Sequence, residues 1–197
     1  MDEKLTAAVV HDMKNALGVL EEQLSILCQS NPEVAASHAL CTSLRQKLIG
    51  FLTLYKGELT ARINDVCPED FLAEVRDLVF LPPDAPEIEV AISPNTPVIW
   101  FFDERLIQLA LEAAIQNALR FARSRITLGA RREGDFLVFS VRDDGPGLGT
   151  LEETPSTGLG TELCRTIARA HIREGLKGHV SLANADEGGA LFEIWLP

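Results

Sequence analysis

Two apolar stripes on either side of one helix breaker constrain this chain more than any other feature. Val9, Met13, Leu17, Leu20, Leu24 and Leu27 recur every three or four positions, the period of one face of an α-helix. Asn31-Pro32 stops that helix, because proline lacks a backbone N–H and clashes with the preceding turn. The pattern resumes near Glu33 with Leu40, Leu44, Leu48, Phe51 and Tyr55. A helix from about Leu5 to Leu27, joined by so short a turn to a second one, predicts an antiparallel hairpin. A hairpin with one long stripe per helix cannot cover itself. Pairing with a second copy closes a four-helix bundle, so a homodimer is expected. The competing expectation is that the stripe packs on the C-terminal part of the same chain.

His11 lies two residues from Val9, about 200° round the helix, and so faces away from the stripe. Asp12 is its neighbour, and Asn15 stands one turn on, at i+4. An outward imidazole beside a carboxylate is placed to act as a nucleophile. Most lone helical histidines do no chemistry, so the second half of the chain decides the matter. Of the remaining histidines, His38, His171 and His179 read as structural or surface groups.

A chain of 197 residues with 46% hydrophobic content can bury a core, as one domain or a small pair. The net charge of −11 argues against nucleic acid or an anionic membrane surface as the main partner. Cys28, Cys41, Cys67 and Cys164 form no Cys-x-x-Cys pair and read as buried, reduced thiols, which places the chain in the cytoplasm. No apolar run approaches the roughly 20 residues a membrane span needs, and the start lacks the regions of a signal peptide.

Gly57 to Cys67 reads as the boundary between a helical hairpin at 1–60 and a second domain at 61–197. In that second domain Leu59 to Ile63 is the expected first strand, and Pro68-Glu69-Asp70 opens a helix through about Val79. Glu87 to Ile92 and Val98 to Phe101 read as strands, and Asp103 caps a helix from Glu104 to about Ala122. Strands follow at Ser124 to Ala130, Phe136 to Arg142, Val180 to Asn184 and Ala190 to Leu196, with a helix from Thr161 to about Ile172. The interleaving predicts an α+β sheet layered with helices.

The glycines of this domain carry the functional signal. Asp143-Asp144-Gly145-Pro146-Gly147-Leu148-Gly149 follows a strand directly. Thr157-Gly158-Leu159-Gly160 precedes a helix, whose N-terminal amides can meet a phosphate. The Asp143 carboxylate can accept a hydrogen bond from an exocyclic amine such as that of adenine, while the glycines let backbone approach a ligand. Either run alone reads as a turn. Both together, with Asn117 on the preceding helix, point to a nucleotide.

These residues resemble the catalytic core of a bacterial sensor histidine kinase, over nearly the whole chain. His11-Asp12-Met13-Lys14-Asn15 resembles the phospho-acceptor box, and Gln116-Asn117-Ala118-Leu119-Arg120-Phe121 is similar to the asparagine box. Asp143-x-Gly145-x-Gly147 looks like the first glycine box and Gly158-Leu159-Gly160 like the second. Gly188-Gly189-Ala190-Leu191-Phe192 is a looser version of the last. The resemblance implies a dimeric helical bundle followed by an α/β-sandwich ATP-binding domain of the gyrase and histidine-kinase type. It implies ATP and Mg²⁺ as cofactors, with Asn117 holding Mg²⁺ on the phosphates and Asp143 reading adenine. His11 would be phosphorylated, with Asp12 fixing its tautomer, and would pass the phosphoryl group to an aspartate of a response-regulator receiver domain. Asn15 matches the position linked to orienting water for dephosphorylation of that partner, which adds a phosphatase activity.

The sequence departs from the family pattern at three places. Ala113 replaces a further asparagine, Ser156 replaces the first glycine of the second box, and only Thr150 to Pro155 separates the two boxes, where relatives carry a longer lid. The short lid motivates an alternative, a histidine phosphotransferase or scaffold whose ATPase-like domain is not catalytic. A gyrase-type ATP-hydrolysing machine is disfavoured, because alanine at 113 cannot activate water. With no sensor domain in the sequence, the input is expected from a separate protein.

Overall fold

The computed structural model describes residues 3–28, 30–55, 59–79, 81, 84–149 and 158–197, the side chains of 3–11, 32, 46, 51 and 53–55 lying outside that description. The chain divides into two compact units, residues 1–58 with 80–84 and residues 59–79 with 85–197.

The first unit is a helical hairpin of α1 (Glu3–Cys28), a short 3-10 turn (Pro32–Val34) and α2 (Ala35–Tyr55). The reversal is held by the Leu27 carbonyl, which accepts the N–H groups of Ser30 and Asn31 at 3.1 and 2.9 Å. Between the helices sits a polar seam. Glu21 pairs with Arg45 and accepts the Thr42 hydroxyl at 2.6 Å. One turn away the Cys41 thiol donates to the Leu17 carbonyl at 3.6 Å, and His38 is buried. Burial pushes the imidazole of His38 down and the thiol of Cys41 up from their ordinary values. The face α2 turns to α1 thus carries His38, Cys41 and Leu52, whereas Leu40 and Leu44 are 70% and 52% exposed. Met13, Val19, Leu20, Ile26 and Leu27 of α1 are exposed as well.

The second unit is an α+β sandwich. Its mixed sheet has the order β2-β4-β5-β9-β8, built from Glu87–Ile92, Arg125–Glu133, Phe136–Asp143, Ala190–Leu196 and His179–Asn184. β2 runs parallel to β4 and the other neighbours pair antiparallel. Strand alternation sends Leu137, Phe139 and Val141 of β5 and Phe192, Ile194 and Leu196 of β9 to one face. That face is covered by α3 (Pro68–Leu78), α4 (Glu104–Phe121) and α5 (Leu159–Ala170). Phe71, Phe102 and Phe139 meet as steeply inclined rings with centroids 5.2 to 5.5 Å apart, which ties α3 and the strand Trp100–Phe102 to the sheet. On the opposite face Arg131 bridges Glu133 and Glu193 at 2.8 Å each and lies over the ring of Trp195, beside the buried Val138.

The expected strand at Leu59 to Ile63 is not formed. β1 is Asn64–Val66, paired with β3 (Trp100–Phe102). The Arg62 N–H is instead committed to the Asp103 carboxylate at 2.7 Å. Asp103 serves twice, since its other oxygen accepts from Leu106 N at 3.1 Å as the N-cap of α4. A two-residue ladder of β6 (Ile172–Arg173) with β7 (Leu176–Lys177) adds a small hairpin after α5.

Candidate functional site

Asp143 ends β5 with its side chain inside the fold, only 6% exposed. Its Oδ1 accepts the N–H of Gly145 at 2.8 Å and that of Ala190, the first residue of β9, at 3.2 Å. Among the described residues nothing donates to Oδ2. A half-satisfied buried carboxylate has acceptor capacity left for a ligand donor. The loop lies tight against its surroundings: a Cβ on Gly145 would overlap the carbonyl of Phe121 at the end of α4. Gly189, with φ +84°, rides directly on the Asp143 carbonyl, where no side chain fits.

The residue after it is a clamp that sequence reading did not single out. Asp144 accepts the N–H groups of Arg123 and Ser124 at 2.7 and 3.1 Å and the Ser124 hydroxyl at 2.7 Å. The Ser124 hydroxyl and these N–H groups hold its carboxyl well below the usual carboxylate range. The end of α4 is thereby stapled to the start of the glycine loop. Its only sequence signal was a second acid beside the first.

Asn117 is exposed one turn before the end of α4, and its amide makes no hydrogen bond among the described residues. Gly147 and Gly149 lie on the loop with φ of +84° and +90°. Gly158, at φ +67°, is the N-cap of α5 and offers no side-chain cap to its first turn. Among the described residues nothing stands within 4 Å of where a Cβ on Gly158 or Gly160 would be. Leu159 is the first residue of α5. Thr157 and Ser156, and the lid residues 150–155, lie outside the described residues.

The residues present suit a magnesium nucleotide. The unfilled Oδ2 of Asp143 matches an amine donor, and the backbone N–H groups of the first turn of α5 match an anion. No cluster of three or more His, Cys, Asp or Glu side chains poised to hold a metal occurs among the described residues. A single neutral amide such as Asn117 fits a hard cation whose other ligands are phosphate oxygens and water.

In the hairpin, His11 is within α1, though its side chain lies outside the described residues. Asp12 and Asn15 are exposed on the same helix. His171, by contrast, is a structural group: its Nε2 accepts the Asp103 N–H at 3.0 Å and its Nδ1–H donates to the Ile167 carbonyl at 2.8 Å. Burial pushes its pKa down, which keeps that tautomer neutral. Burial also pushes the thiol of Cys164 up to about 12.

Residues 102–197 match the family of histidine kinase-, DNA gyrase B- and HSP90-like ATPases. The chain is 25% identical to the sensor protein KdpD of Escherichia coli over 98% of its own length and 24% of that protein. It is 27% identical to the sensor histidine kinase CpxA of Escherichia coli over 53% of its length and 25% of the relative. The histidine kinase AdeS of Acinetobacter baumannii shares the fold, with a TM-score of 0.58 and 20% identity over 83% of this chain and 81% of that one. Over these stretches the chain is similar to sensor histidine kinases, in line with the resemblance carried by the ordered boxes. It spans about a quarter of the length of the curated relatives it matches.

Proposed function

We propose that the chain is the core of a two-component protein-histidine kinase. In this reading 1–60 is the dimerisation and phosphotransfer hairpin and 61–197 the ATP-binding domain. The observation that carries it is the buried Asp143, whose one oxygen is tied to the glycine loop while the other keeps its acceptor capacity. Asp143 holds the adenine amine, Gly145, Gly147 and Gly149 let the loop backbone close on the nucleotide, and Asn117 supplies a ligand to Mg²⁺. Thr157, Gly158, Leu159 and Gly160 present α5 to the phosphates. Bound ATP supplies an electrophilic terminal phosphoryl group, with its charge neutralised by Mg²⁺. The His11 imidazole nitrogen takes that group as the bond to the β-phosphate oxygen breaks, and Asp12 accepts from the other ring nitrogen to stabilise the cation formed. The phosphoryl group then passes to an aspartate of a response-regulator receiver domain. Asn15 orients a water that hydrolyses the receiver's aspartyl phosphate, releasing inorganic phosphate and restoring the carboxylate.

Incubation with γ-labelled ATP and Mg²⁺ tests the reading. Label is expected on the wild type and absent from His11→Ala. Absence of label from both, with nucleotide still bound, would favour the scaffold alternative suggested by the short lid.

The homodimer rests on the apolar residues that the hairpin leaves uncovered, Leu40 and Leu44 chief among them. Burying them across a two-fold axis removes apolar surface worth about 1.5–3 kcal/mol per side chain. Leu40→Glu combined with Leu44→Glu is expected to convert a dimer to a monomer in light scattering behind size exclusion. A double variant that remains dimeric would move the interface elsewhere. No helix among the described residues is long and apolar enough to cross a membrane. A cytoplasmic site of action, with neither nucleic acid nor membrane as partner and a separate input protein, completes the proposal.

A further inference from the structure

We propose that Asn184, the last residue of β8, is a positioning residue of the nucleotide site. Its amide oxygen accepts the Leu148 N–H at 2.6 Å, at the far end of the loop that begins with Asp143. At the near end, Asp143 accepts the N–H of Ala190. Asn184 and Ala190 are direct partners in the β8–β9 register. The two ends of the loop are thus tethered to the two residues that close one β-hairpin.

That hairpin turn holds its own shape. Ala185 N donates to the Gly189 carbonyl and Gly188 N to the Ala185 carbonyl, both at 3.0 Å. Gly147, in the middle of the loop, lies flush on it: a Cβ there would stand 2.6 Å from Asn184 Oδ1 and 3.4 Å from the Gly189 carbonyl oxygen. The loop with its left-handed glycines would otherwise sample many conformations. Pinned at both ends, it enters binding already shaped, and the ordering cost is removed from the affinity.

The assignment rests on the nucleotide-binding reading of Asp143, and its effect is separable from folding. Leu148 is 41% exposed, so its N–H can turn to water when the Asn184 oxygen is removed. Asn184→Ala is expected to weaken Mg²⁺-ADP binding to the full chain about five- to tenfold in calorimetry, the worth of one hydrogen bond plus lost order. Its melting temperature without nucleotide should stay within about 2 °C of wild type. Asn184→Asp keeps an acceptor at the same place and should bind within about twofold of wild type. If Asn184→Ala melts too early for the assay, Asn184→Ser gives the same comparison with a shorter side chain. Wild-type affinity in the variant lacking the acceptor would overturn the assignment while leaving the nucleotide site intact. Failure of the wild type itself to bind would overturn the nucleotide reading and this one with it.

Discussion

Asp143→Ala is expected to lower the affinity for Mg²⁺-ATP about a hundredfold, the equivalent of about 2.7 kcal/mol. A hydrogen bond to a charged acceptor contributes roughly 1.5–3 kcal/mol, and the buried site gives an adenine amine no water to fall back on. The same change removes the acceptor for Gly145 and Ala190, so the loop loses one of its anchors. Asp143→Asn separates the two effects. It keeps the shape and one carbonyl oxygen but sets an NH₂ where the second acceptor stood, so binding should fall while the fold persists. Calorimetry on both variants, with melting curves as control, measures this. Affinity within threefold of wild type in both would place the base elsewhere.

A second large effect is expected on stability. Gly189→Ala puts a methyl group onto the carbonyl of Asp143, 2.7 Å from its carbon, at a φ of +84° that L side chains rarely adopt. Overpacking costs about 1–3 kcal/mol and a left-handed non-glycine residue about 1–2 kcal/mol more. The atoms in the way are backbone, so neither cost can be relieved by a rotamer change. The melting temperature of the second unit should fall by about 10 °C or more. Nucleotide affinity should drop with it, because Asp143 is displaced. A fall of less than about 2 °C would mean that the β8–β9 turn moves freely off the loop, against the close packing described here.

Periodicity and breakers made much of this architecture legible before any coordinates. Asp103 before Glu104 marked the start of α4, and its carboxylate does accept Leu106 N. Glu87–Ile92 is a strand with the expected bounds. The boxes around Asn117, Asp143 and Gly158 stood out because an amide, an acid and glycines follow one another in a set order, within the stretch 102–197 that matches the ATPase family.

What escaped depended on partners remote in sequence. The stretch from Leu59 to Ile63 alternates like a strand, but Asp103, 41 positions on, takes the Arg62 N–H that a ladder would have used. α2 carries its leucine stripe on the outside, because the seam with α1 is set by Glu21 and Arg45 and by the buried His38 and Cys41. β6 and β7 are two residues each, too short for a period, and only the turn at Glu174 and Gly175, with φ of +50° and +84°, creates them. Asp144 and Asn184 act through backbone N–H groups, which leave no mark on the sequence of the residue they hold.

The most direct measurement is the site of modification. After incubation with Mg²⁺-ATP and an alkaline quench, which spares an acid-labile phosphoramidate, peptide mass spectrometry should find one added phosphoryl group, on His11. Asp143→Ala should abolish it at the same nucleotide concentration. A phosphoryl group on another residue, or an unmodified His11 in a chain that binds and consumes ATP, would contradict the account.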